Sequence, residues 1–272
     1  MTATATTSRP PAPATATGQP IASKATIFGL ALFALAMIGI LVAAPLSGAY
    51  GFFTTVFPAI LLAVVVLLAG LVWRFGARAL VLTAVLMLLS LAGNLPIMIE
   101  GLRFPASFFD FAPSLLALTG NLIALGGAVV ALVARRRRAT RSTPTRVERT
   151  AAGALIAGLA VLAAVSAGLT IINRDSVSAE ARAGALPVRM KGTTFQSERL
   201  EARAGEPVRI LVKNADPGMH SFTIQALGTD VKVNPGSERL VELGTVPPGE
   251  YTYVCKLFGH DQTMKGTLVV GP

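Results

Sequence analysis

The chain has 272 residues, 53% of them hydrophobic and 14% charged, with a formal net charge of +10. Such a composition, with its strongly positive mean hydropathy, signals a membrane protein. One cysteine in the whole chain excludes an internal disulfide, and two histidines leave material for a single imidazole-based metal site.

Residues 1–23 are predicted to be a disordered cytoplasmic tail, because the Ala/Thr/Pro-rich run from Thr2 to Pro20 is too polar and Pro-interrupted to fold alone. Residues 24–173 read as a five-helix transmembrane domain. No charge occurs from 25 to 73, and the turn-like Ser47-Gly-Ala-Tyr-Gly51 divides that stretch into two spans of crossing length. Helices are expected near 26–46, 52–73, 79–98, 112–134 and 151–172. The first span can also be read as a cleaved signal peptide, but its apolar core exceeds the roughly 7–15 residues of a signal h-region. In the fifth, Gly153, Ala157, Gly158, Ala164 and Gly168 are expected to allow close packing against a neighbour. Asn94 and Asn121 are expected to bond between helices.

Basic residues set the orientation. With the N-terminus cytoplasmic, the same side receives Arg9, Lys24, Arg74, Arg78, the run Arg135 to Arg138, Arg141, Arg146 and Arg149. The opposite loops hold Arg103 alone, beside Glu100 and Asp110. By the positive-inside rule the C-terminal domain is then extracytoplasmic, in the cell membrane's outer space. The arginine run is a topology anchor near anionic headgroups, so no nucleic-acid partner is expected.

Residues 174–186 read as a linker, and 187–272 as a β-domain with period-two patterning and turns every 8–12 positions. Strands are expected at 187–191, 198–203, 207–213, 220–226, 230–233, 238–243, 250–255 and 265–270. That gives an all-β two-sheet sandwich after an α-helical membrane bundle.

The chemistry concentrates in Cys255-Lys-Leu-Phe-Gly-His260-Asp-Gln-Thr-Met264, with His220 upstream on a strand. Two imidazoles, a thiolate and a thioether form the donor set of a mononuclear blue-copper site. Thiolate and thioether suit Cu(I) and imidazole suits Cu(II), so a stiff scaffold holding all four needs little rearrangement between the two states.

The stretch from Tyr251 to Leu268, with its Cys-x4-His-x3-Met spacing and Met-Lys-Gly-Thr-Leu exit, resembles the copper loop of azurin- and plastocyanin-like cupredoxins. Val208-Arg-Ile-Leu-Val-Lys-Asn214 followed by His220-Ser-Phe-Thr-Ile224 resembles the strands that present the first histidine. The resemblance covers about the last 85 residues. It implies a Greek-key sandwich and one copper ion held by His220, Cys255, His260 and Met264, the histidines through Nδ1. Cupredoxins often carry Asn after the first histidine and Ser or Thr after the cysteine, bracing the two ligand strands; here Ser221 and Lys256 occupy those positions. Met219 stands where azurins place a glycine.

The expected function is a membrane-anchored carrier of single electrons between redox partners. The alternative is a copper-binding module for sensing, storage or delivery beside a transporter or oxidase-assembly partner. Enzymatic activity is not expected, because a second all-His copper site or a buried haem needs histidines that the chain lacks. By resemblance a redox partner is expected to dock near Leu257, Phe258 and Met219, read as exposed apolar residues around His260.

Overall fold

The computed structural model describes residues 21–47, 52–137, 143–257, 260–261 and 263–272. Five long helices come first: α1 (Ile21–Ser47), α2 (Phe57–Phe75), α3 (Ala77–Leu102), α4 (Phe108–Arg136) and α5 (Arg146–Ile172). All five are long and apolar enough to cross a membrane. Most of their ends overrun the predicted ones, because charged residues mark where an apolar span ends, not where the helical backbone stops; α2 instead starts late, at Phe57, after a π-helical turn, Phe52–Val56, and α5 ends at Ile172. Thus α1 begins at Ile21, inside the segment read as tail, and the rest of that tail lies outside the described residues. Arg135 and Arg136 close the last turn of α4, where basic side chains complement the carbonyl end of the helix dipole. Thr145 and Glu148 form a reciprocal capping box at the start of α5, supplying partners for otherwise unpaired N–H groups.

The bundle is built around a close crossing of α1 and α4. A Cβ placed on Gly120 would lie 2.6 Å from the carbonyl oxygen of Gly29 and from the amide nitrogen of Phe33, so the backbones meet without side chains between them. Leu30, Phe33, Met37, Leu68, Met87 and Ala124 fill the adjoining core. The expectation for α5 is corrected: Gly153, Gly158 and Gly168 face open space, and Ala157 and Ala164 are exposed. Its apolar face is also largely uncovered, Val147 at 77% exposure and Ile172 at 79%. The asparagines differ from expectation as well. Asn94 donates to the carbonyl of Ser90 in its own helix, and buried Asn121 has no hydrogen-bond partner among the described residues.

After α5 comes a two-sheet sandwich. Its strands are β1 (Leu186–Lys191), β2 (Thr194–Phe195), β3 (Arg199–Arg203), β4 (Pro207–Asn214), β5 (His220–Ile224), β6 (Thr229–Val233), β7 (Glu238–Thr245), β8 (Gly249–Val254) and β9 (Lys265–Gly271). One sheet runs β2-β1-β4-β7 and the other β3-β9-β8-β5-β6. The pairs β1/β4 and β3/β9 are parallel and the others antiparallel. Strand β2 was not expected; it returns on β1 through Gly192 and Thr193, both at positive φ, the conformation of a two-residue hairpin turn. The predicted 220–226 strand stops at Ile224, where a 3-10 turn, Gln225–Leu227, takes over.

Alternate residues of β4 (Val208, Ile210, Val212) and β9 (Leu268, Val270) point into one core. Phe195, Phe222 and Tyr253 meet there with ring centroids 5.0–6.0 Å apart, and the Tyr253 hydroxyl donates to the carbonyl of Ser197. Gly266 pairs opposite Tyr253, and any Cβ there would collide with the ring.

The 174–186 segment is fastened to the sandwich rather than free. Asp175 pairs with Arg239 at 2.7 Å and accepts from the Glu238 amide, while a short helix α6 (Ala179–Arg182) is held by Arg209 and by Arg182–Glu238.

Candidate metal centre

Three connections meet at one end of the sandwich: the β4–β5 turn, the β8–β9 loop and the β1–β2 hairpin. The first is built by Asn214, fully buried, whose amide donates to the carbonyls of Gly218 and Val233 and whose Oδ1 accepts from the Asp216 amide. That network fixes the approach to His220. The second closes on itself: the Cys255 amide donates to the Met264 carbonyl, and the Met264 amide donates to the His260 carbonyl at 2.7 Å. The Cys-x4-His-x3-Met spacing therefore folds three donors onto a single turn. The third is tied in by Gly192, whose amide donates to Asp216, and by Thr263, which donates to the Thr193 carbonyl.

The four sequence-predicted residues come together. The Nδ1 atoms of His220 and His260 lie 3.8 and 3.6 Å from Cys255 Sγ, and the donor atoms of these three residues all fall within 4.8 Å of one another. A first-row ion about 2.3 Å from sulfur and about 2.0 Å from nitrogen sets a sulfur–nitrogen edge of roughly 3.7 Å in a trigonal plane. The spacing thus fits one ion without rearrangement. Met264 is fully buried in the same core cluster as Cys255. The donor chemistry, two imidazoles with a thiolate and a thioether, fits a single copper ion.

Electrostatics prepare the donors. Burial pushes the Cys255 thiol up, but His220 and His260 beside it outweigh this and bring it down to about 5, so the sulfur is a thiolate at neutral pH. Burial pushes His220 down, while Asp216 and the Cys255 sulfur overcome it and raise the imidazole to about 9. Each group favours the charged form of the other, and because metal binding takes deprotonated donors, an ion at this site competes with the proton on His220.

Sequence reasoning missed two residues. Asp216 Oδ2 sits 2.8 Å from His220 Nε2 with both side chains buried, which orients the ring so that Nδ1 faces the sulfur. Its only sequence signal is an acidic residue four positions before the histidine, inside a turn. Asp110, from the start of α4, accepts from the Met219 amide at 2.7 Å; nothing in the sequence links positions 109 residues apart.

The strand brace exists in altered form. The Lys256 amide donates to the Ser221 hydroxyl at 2.8 Å, and the Ser221 amide donates to Cys255 Sγ at 3.3 Å. Backbone and a short hydroxyl thus join the two ligand strands, the part that the resemblance assigns to Asn after the first histidine. The exposure expected of Leu257 and Met219 is corrected: they are buried, at 7% and 4% exposure, because both pack into the sandwich core. Phe258 lies outside the described residues. His260 itself remains partly exposed.

Residues 154–270 match the family model of the cupredoxin-like domain, a stretch that begins within α5. No curated protein sequence matches the chain significantly. Among solved structures it is similar to a dithionite-reduced auracyanin of Roseiflexus castenholzii, 14% identical over 32% of this chain and 97% of that one, TM-score 0.31. It is also similar to auracyanin A, a "blue" copper protein of Chloroflexus aurantiacus, 21% identical over 32% and 98% of the two chains, TM-score 0.29. A third is the metal-binding domain of the Cu(I)-exporting P-type ATPase CopA of Streptococcus pneumoniae D39, 14% identical over 36% and 94%, TM-score 0.29. With the family match and the converged donor set together, the chain carries a cupredoxin-like domain behind five long apolar helices.

Proposed function

We propose that this chain is a membrane-anchored electron carrier whose mononuclear centre is held by His220, Cys255, His260 and Met264. The observation that carries the reading is the geometry of the donors, which stand at metal-binding separations. A copper ion bound there supplies one-electron chemistry between Cu(I) and Cu(II). The protein's part is to resist motion. Asp216 locks the His220 ring, Ser221 ties the two ligand strands, and the β8–β9 turn fixes His260 against Met264. Burial of Cys255 and Met264 excludes water from the sulfur donors, while the partly exposed His260 is the route by which an electron enters or leaves. Both histidines are committed to this one centre, which supports a carrier over an enzyme.

The domain's placement outside the cytoplasm is supported by the arginines. Arg78, Arg135 and Arg136 line one groove between α3 and α4, whereas the sandwich rests on the connection at the opposite ends of those helices. Membrane-embedded protein loaded with copper is expected to show intense visible absorption that bleaches and returns with one electron per chain in a reversible voltammetric couple. Rapid exchange of copper with a soluble chelator and no reversible couple would establish the delivery module instead. Protease added outside intact spheroplasts is expected to remove the sandwich and spare the loop after α4.

A further inference from the structure

The approach to His220 is a run of polar backbone held at several points. The Gly218 carbonyl accepts from Asn214, and the His220 ring is held by Asp216, both from within the sandwich. The Met219 amide differs. Its acceptor is Asp110 Oδ2 at 2.7 Å, from the first turn of α4.

The carboxylate is placed by its own surroundings. The Ser107 hydroxyl, fully buried, donates to the same oxygen, and the Asp110 amide donates to the Ser107 carbonyl at 3.1 Å. Both carboxylate oxygens would lie 3.5 Å from a Cβ at Gly218, so the group is seated against the Gly218–Met219 backbone. The same α3–α4 connection touches the sandwich again through Phe104, which packs on its core beneath the Lys232 ammonium, 5.3 Å from the ring centroid. Lys232 pairs across β5/β6 with Ser221, the strand brace. At the other side the Asn173 carbonyl accepts from Asn234 and Ser237, each at 3.2 Å. Thr170 of α5 accepts from the Phe108 amide, joining the two anchor points within the bundle.

We infer that the α3–α4 connection of the helical bundle is an integral wall of the candidate metal centre, with Asp110 the positioning residue that holds the backbone entering His220. The His220 Nδ1 donor belongs to the next residue along the chain and must stay in the trigonal plane to within a fraction of an ångström, and outer-shell partners that secure such donors are worth about 10- to 100-fold in metal affinity.

The test uses the full chain in lipid nanodiscs. Amide hydrogen exchange of the 218–222 segment, measured on metal-free protein, reads the contact without copper. Asp110→Ala is expected to speed exchange there about tenfold and to weaken Cu(II) affinity about tenfold, with an altered visible band. Asp110→Asn keeps an acceptor oxygen and is expected to stay within about threefold of the parent on both readouts. Ser107→Ala, which leaves the carboxylate but removes its support, is expected to fall between them and guards against misfolding of the alanine variant. Unchanged exchange in Asp110→Ala, or an Asn variant as impaired as the Ala one, overturns the inference. The copper readout rests on the function proposed above; a parent that shows the exchange pattern but binds no copper defeats that function and leaves the wall standing.

Discussion

The helical bundle and the sandwich solve the same problem, fixing elements in one arrangement, by opposite means. In the sandwich an apolar core is joined by polar contacts that converge on one end: Asp216 and the Ser221 amide reach the donors, and Asn214 fixes the turn before His220. In the bundle the fixing is apolar and spread along a line, with α1 and α4 brought together by what is missing at Gly29 and Gly120. Hydrogen bonds can be aimed at one atom, and glycine contacts cannot. The first suits a site that must hold a few donor atoms, and the second suits helices packed side by side.

The largest effect tests the polar half. Cys255→Ala is expected to abolish the visible charge-transfer band and to cost more than the roughly 100-fold that outer-shell changes cost. Retention of copper with an unchanged spectrum would show that the convergence serves packing only.

Next comes the apolar half. Gly29→Leu is expected to destabilise the bundle by about 3 kcal/mol, since overpacking against backbone has no flexible neighbour to yield. Gly168→Leu in α5, facing open space, is expected to leave thermal unfolding in detergent nearly unchanged. Equal losses at both positions would break the contrast.

Asp216→Ala is expected to weaken copper binding by about 10- to 100-fold with the sandwich still folded, measured by competition with a chelator of known affinity. The smallest effect concerns the seam beneath the linker. Glu238 is buried, and although burial pushes its carboxyl up, Lys213 and Arg182 hold it below the ordinary 4.5. A depressed carboxyl stabilises the fold above its unfolded value and loses that contribution as pH falls through the folded one. Glu238→Gln is therefore expected to cost about 1–2 kcal/mol at pH 7, a difference that vanishes in acid below the usual carboxylate range.

The two halves were unequally legible in the sequence. His220, Cys255, His260 and Met264 stand out because the chain spends its only cysteine and both histidines there, and scarcity makes spacing informative. Asp216 and Asp110 are two of fourteen acidic residues, and only tertiary contact distinguishes them. Five helices follow from the length of uncharged runs, but not which faces touch. A glycine facing a neighbour and one facing open space read alike, so the close crossing was expected in α5 and is found between α1 and α4. Leu257 and Met219 failed for a related reason: an apolar residue beside a ligand can cover the core or face outward, and both turn inward.

On the function proposed above, the linker fastened by Asp175, Asn173 and α6 sets how the carrier meets others. Small electron carriers commonly roam between sites, and their reach is set by diffusion through a volume. Here three anchor points leave no slack between α5 and the sandwich. On that same function the centre is carried by its bundle, and exchange becomes a planar search, in which lateral density and orientation in the bilayer, rather than bulk concentration, govern how often two centres come within reach.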